Sequence, residues 1–179
     1  MVKRKACVFI SGSGTNLRSI IKNSRDYNFP IRICLVISNN KNAKGLNFAK
    51  KFSIPHLILE NKIDKFEKNA IRELSKRKIK LLCLAGFMRI LSKRFIRQFK
   101  GQIINVHPSL LPKFKGLNTF ERVIKSKEKF TGCTVHFVDE KLDNGKKIIQ
   151  KRILIEKGDN VEILKRKVQK NEYQAYSFA

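Results

Sequence analysis

Lys5-Ala6-Cys7-Val8-Phe9-Ile10-Ser11-Gly12-Ser13-Gly14-Thr15-Asn16-Leu17 is the stretch that decides the fold class. Lys5–Ile10 is an apolar run without polar alternation, and it stops at Ser11-Gly12-Ser13-Gly14. Thr15–Asn23 follows with Leu17, Ile20, Ile21 and Ser24 on one helical face. A strand without alternation is buried on both faces, as in a parallel sheet covered by helices. The basic-then-apolar start has the look of a signal peptide. Its apolar part is too short, however, and the turn follows at once, so a first β-strand is expected.

Working outward, the same strand-then-helix pattern repeats. Strands are expected at Ile31–Ile37, Pro55–Leu59 and Ile79–Ala85, with helices at Ala43–Phe52, Ile63–Leu74 and Ser92–Phe99. The second half differs. Ile103–His107, Cys133–Val138 and Lys147–Ile155 read as strands with only Thr119–Lys125 helical among them, and the last two are close enough to pair antiparallel. Asp159 with Glu162 has the form of a capping box opening a terminal helix through Val161, Leu164 and Val168. The expected fold class is α/β: a Rossmann-like, mostly parallel sheet with helices on both faces and an antiparallel C-terminal edge.

The chain has 179 residues, 42% of them hydrophobic, which suits one domain with one core and excludes a disordered chain. No apolar run reaches the length of about 20 residues that a membrane helix needs, so no membrane partner is expected. Four cysteines (Cys7, Cys34, Cys83, Cys133) stand in strand-like runs without C-x-x-C spacing; they read as buried, reduced thiols of a cytoplasmic protein. The 40 Lys and Arg against 14 Asp and Glu give a net charge of +26. The basic residues are scattered, with one short cluster at Lys76-Arg77-Lys78 and Lys80, and no aromatic-and-basic stripe accompanies them. Compositional bias therefore explains the charge better than a nucleic-acid partner, though the field still raises encounter rates with anions.

The turn at Gly12, Ser13, Gly14, Thr15 and Asn16 offers close backbone approach and helix-start N–H groups to an anion such as a phosphate. It lacks the nucleoside-triphosphate signature G-x-x-x-x-G-K-[ST]. It also lacks the third glycine of a dinucleotide fingerprint, because position 17 is Leu, and the next strand ends at Asn39-Asn40 rather than an acid. NAD is thus not expected. An ordinary strand-to-helix turn remains an equal reading of these residues.

Asn105-Val106-His107-Pro108-Ser109-Leu110-Leu111-Pro112 ends an apolar strand. Asn105 and His107 are two apart and share a face. At the carboxyl end of a parallel strand they stand where ligands of open α/β sheets bind. The amide can donate to a forming oxyanion, and the imidazole can support charge or shuttle a proton. Asp143, in Leu142-Asp143-Asn144-Gly145, is the candidate third group, although spacing alone reads it as a turn residue. His136 lies mid-strand, where a structural hydrogen bond is the better reading. With three dispersed histidines, no metal site is expected.

Taken together, residues 10–17, Leu84-Ala85-Gly86-Phe87-Met88-Arg89-Ile90-Leu91-Ser92, residues 104–113 with Gly116-Leu117, Gly132–Val138 and Leu142-Asp143-x-Gly145 resemble the phosphoribosylglycinamide formyltransferase family, in order and at matching spacing. The resemblance implies the formyltransferase fold in a single domain over 1–179, with a phosphate-binding half of about 1–100 and a folate and catalytic half of about 101–179. It implies transfer of a formyl group from 10-formyltetrahydrofolate to the amine of glycinamide ribonucleotide in de novo purine synthesis, without metal or NAD. Asn105, His107 and Asp143 match the catalytic trio. Gly12, Ser13, Gly14, Thr15, Asn16 and Glu172 match the ribonucleotide side. Met88, Arg89, Ile90, Leu91, Asn105, Asp139, Glu140 and Asp143 match the folate side. The family's usual histidines are replaced by Asn118 and Phe120, its usual proline by Ser177, and a neutral stretch by Lys146-Lys147. A monomer or homodimer is expected. The alternatives are another formyl-folate enzyme (a hydrolase or a tRNA-type formyltransferase) or an inactive basic homologue that binds nucleic acid.

Overall fold

The computed structural model describes residues 2–60 and 62–179. The described residues form a seven-stranded sheet in the order His56–Ile58, Ile31–Ser38, Arg4–Ile10, Leu81–Leu84, Gln102–His107, Phe130–Phe137, Lys147–Leu154. The chain divides into two compact units, Met1–Ile104 and Asn105–Ala179. No described helix is long and apolar enough to cross a membrane.

The first unit holds β1 (Arg4–Ile10), α1 (Thr15–Ser24), β2 (Ile31–Ser38), α2 (Leu46–Lys51), β3 (His56–Ile58), α3 (Ile63–Lys76), β4 (Leu81–Leu84) and α4 (Lys93–Gln98). β1 pairs in parallel with β2 and β4, and β2 with β3. Ala6–Ile10 are fully buried, as the unbroken apolar run predicts. Phe9 meets Phe66 edge-on at 5.3 Å and Phe87 at the same separation, and Phe95 lies 6.1 Å away. Burying each such ring contributes about 1.5–3 kcal/mol, so this aromatic cluster fixes α3 and α4 on β1.

Local chemistry sets the element ends. Buried Glu67 accepts from the backbone N–H and the hydroxyl of Ser92, and Ser92 Oγ accepts from Phe95 N at 3.0 Å. Ser92 is therefore the cap of α4 and not its first turn. The helix expected at Ala43–Phe52 is shorter, Leu46–Lys51, because residues 43–48 close tight i to i+3 turns, such as Leu46 N to Ala43 O at 3.0 Å. Gly45 is drawn there by Gly14: a Cβ on Gly14 would stand 2.4 Å from Gly45 Cα. Gly14 also has φ +72°, so it carries both the close approach and the left-handed turn into α1.

β5 (Gln102–His107) runs across the division between the units. The second unit continues with α5 (Thr119–Lys125), β6 (Phe130–Phe137), β7 (Lys147–Leu154) and α6 (Val161–Phe178). β6 and β7 form the expected antiparallel pair, with a slip in register between Val135 and His136. The capping box is corrected. Asn160 caps α6, its Oδ1 accepting from Ile163 N at 2.9 Å, while Asp159 accepts from Glu156 N at 2.9 Å and pairs with Lys167. Asp159 closes the turn before the helix, which leaves the neighbouring amide to face the helix start. Cys7, Cys83 and Cys133 are buried as expected; Cys34 is only half-buried.

Candidate active site

In the second unit Asn105, His107, His136 and Asp143 converge. β5 presents Asn105 and His107 two residues apart, and β6 presents His136. Asp143 comes from the 138–146 connection, which turns back because Gly145 presses on β6: a Cβ there would stand 1.8 Å from Phe137 O. Asp139 Oδ1 accepts from Lys141 N at 2.9 Å and organises the same turn. Asp143 itself has φ +46°, a conformation Asp and Asn tolerate better than most residues.

Asp143 Oδ2 lies 3.2 Å from His107 Nδ1 and accepts from Gly116 N at 2.8 Å. Both side chains are buried, 7% and 8% exposed, so their attraction is screened little by water. His107 Nε2 lies 2.8 Å from Phe114 O, and a carbonyl only accepts, so this nitrogen carries a proton. The other ring nitrogen, Nδ1, faces the Asp143 carboxylate. Arg122 Nη1 donates to Lys115 O and Leu117 O and braces the loop that supplies Phe114 and Gly116.

His136 Nδ1 donates to Phe137 O at 2.8 Å, leaving Nε2 as an acceptor 3.3 Å from Asn105 Nδ2. This fixes the Asn105 amide: one N–H is held by His136, and the other remains to donate. His136, set aside in the sequence as a mid-strand histidine, is therefore part of the site. Its role depends on a cross-strand neighbour that no local pattern reveals.

Burial pushes the His136 imidazole below its ordinary pKa, with the Phe137 carbonyl and the Asp143 charge pulling partly back. The unfolded imidazole titrates near about 6.5, so below that the unfolded chain binds more protons than the folded one. This contribution to stability is present above the unfolded pKa and is lost as pH falls through the lower folded value. Urea midpoints measured from about pH 7 to about pH 5 are expected to fall more steeply in the wild type than in His136→Gln. Parallel slopes would contradict the assignment.

In the first unit, Ser11 Oγ donates to Asn39 Oδ1 at 2.7 Å and accepts from Met88 N at 2.9 Å, which anchors the turn at the ends of β1 and β2. A Cβ on Gly12 would meet nothing within 4 Å, in contrast to Gly14. The two glycines thus separate: Gly14 is packed, and Gly12 borders open space. Met88 and Ile90 are exposed, whereas Leu91 is buried.

The family model described as formyl transferase matches residues 4–179. The chain belongs to the formyl transferase family. The chain is 40% identical over 179 residues to the phosphoribosylglycinamide formyltransferase of Haemophilus influenzae, covering 97% of this chain and 84% of that one. It is 40% identical to the trifunctional purine biosynthetic protein adenosine-3 of Gallus gallus, but spans only 18% of that protein's length. The crystal structure of phosphoribosylglycinamide formyltransferase from Anaplasma phagocytophilum superposes with a TM-score of 0.94 at 36% identity, covering 99% of this chain and 84% of that one. Asn118 has φ +52°, a conformation this residue type accepts at the start of α5. Glu172 is buried on α6, where its charge adds to burial in pushing the Cys133 thiol up to about 12.

Proposed function

We propose that the protein transfers the formyl group of 10-formyltetrahydrofolate to the amine of glycinamide ribonucleotide, giving formylglycinamide ribonucleotide and tetrahydrofolate in de novo purine biosynthesis. The observation that carries this is the buried cluster in which Asp143 faces His107 while His136 orients Asn105. The amine nitrogen bonds to the formyl carbon, and the carbonyl oxygen becomes an oxyanion. The free Asn105 N–H donates to that oxygen, and His107 beside it helps to stabilise the oxyanion. As the carbon–N10 bond breaks, one proton leaves the amine and one reaches N10. Asp143 relays it, alone or through water.

The ribonucleotide phosphate is assigned to Gly12, Ser13, Gly14, Thr15 and Asn16, and Glu172 to the same substrate. Met88, Arg89, Ile90, Leu91, Asp139 and Glu140 are assigned to the folate. The cytoplasm, where reduced thiols persist, is the proposed compartment, in keeping with four free cysteines. Gly12→Val fills the space beside the turn. It is expected to raise KM for the ribonucleotide about tenfold or more while changing the folate KM little. Equal effects on both would remove the phosphate from this turn.

The test of the proposal is release of tetrahydrofolate from 10-formyltetrahydrofolate by the purified protein, with and without glycinamide ribonucleotide. Release that requires the ribonucleotide supports the transferase; equal release in buffer points to a hydrolase.

A further inference from the structure

Lys5 and Arg32 are register partners across the parallel β1–β2 ladder. Register partners project to the same face, so two cations stand side by side, an arrangement that is destabilising on its own. Among the described residues neither side chain forms an ion pair. Arg77, which ends α3, points into the same place: a cavity of about 390 Å³ lined by Lys5, Arg32, Ile33, Cys34, Pro55 and Arg77. Its Nε is buried without a hydrogen-bond partner, with Glu73 Oε2 3.6 Å away. Three cations thus line the hollow: Arg77 has a carboxylate beside it in Glu73, and Lys5 and Arg32 have none.

The β1–β2 ladder slips between Ala6 and Cys7, so that Ala6 pairs with Ile33, Cys7 pairs with Leu35, and Cys34 is the extra residue of a bulge. Bulges re-aim side chains, which explains why this cysteine lines a cavity while the other three are buried. Lys5 lies at the start of β1 and the Gly-rich turn follows its end. At the rise of a strand the two are about 17 Å apart, so the cavity is a different place from that turn.

We propose that this cavity binds a small multivalent phosphoryl anion of the pyrophosphate class. Guanidinium forks match tetrahedral oxyanions, and three converging cations favour a polyanion over a single carboxylate. Ile33 and Pro55 supply an apolar wall beside these charges.

Cys34 is a built-in reporter. The native full chain is treated with neutral iodoacetamide, and alkylation of each cysteine is followed by peptide mass spectrometry. Inorganic pyrophosphate is expected to slow Cys34 alkylation about tenfold when present at about ten times its dissociation constant. Sodium chloride at matched ionic strength is expected to leave the rate unchanged. Lys5→Gln and Arg32→Gln, both at exposed positions, are expected to lose the protection without a loss of melting temperature. A nucleoside diphosphate run in parallel separates the sources: stronger protection by it assigns a nucleotide, stronger protection by pyrophosphate a free anion, and either supports the site. No slowing, equal slowing by chloride, undiminished protection in Arg32→Gln, or protection by an RNA oligonucleotide alone would overturn it.

Discussion

Asn105→Ala is expected to lower kcat about 10²- to 10³-fold, the usual loss when one donor to a forming oxyanion is removed from a water-poor site. The fall should appear equally in kcat and kcat/KM, because the amide acts on charge that develops only in the transition state. The variant also leaves His136 Nε2 without its donor, and an unsatisfied buried acceptor costs about 1–3 kcal/mol. A lowered melting temperature should therefore accompany the kinetic loss. Activity within a few fold of wild type would show that the oxyanion is held elsewhere.

Asp143→Asn is expected to remove about 10²- to 10⁴-fold of turnover while the chain folds normally. The geometry makes this substitution a clean test. Asn adopts the φ of +46° found at position 143, and its carbonyl oxygen can still accept from Gly116 N. What disappears is the negative charge opposite His107 and the capacity to take a proton. Steady-state kinetics at several pH values should show a large drop in kcat with little change in either KM. A variant that turns over normally would exclude Asp143 from the proton path.

The residues differ in how legible they were, for physical reasons. Ala6–Ile10 could be read as a buried parallel strand because burial on both faces leaves no polar alternation. Asn105 and His107 could be read as a pair because strand periodicity puts them on one face. The place of Asp143 beside them depends on Gly145 pressing against Phe137 O, a tertiary contact that a turn motif does not encode. His136 has no local signature for the same reason: its partner, Asn105, belongs to another strand. The capping box failed because Asp159 and Asn160 are both competent caps, and only the pairing of Asp159 with Lys167 and Glu156 N decides between them. The half-buried position of Cys34 follows from a register slip that exists only once β1 and β2 are paired. Gly12 and Gly14 look alike in sequence, and only the approach of Gly45 separates them.

The net charge of +26 has a kinetic consequence. A positive field concentrates anionic substrates near the molecule whatever the local site chemistry, so rates with phosphorylated acceptors should fall as ionic strength rises. Such steering needs no dedicated basic stripe.

Formyl transfer can be followed on the carbon itself. 10-Formyltetrahydrofolate carrying ¹³C in the formyl group is incubated with the protein and glycinamide ribonucleotide, and the label is located by NMR. A new formamide signal on the ribonucleotide amine is expected, appearing as tetrahydrofolate forms and slowed in Asp143→Asn. Label recovered as formate, or left on the folate, would contradict that transfer.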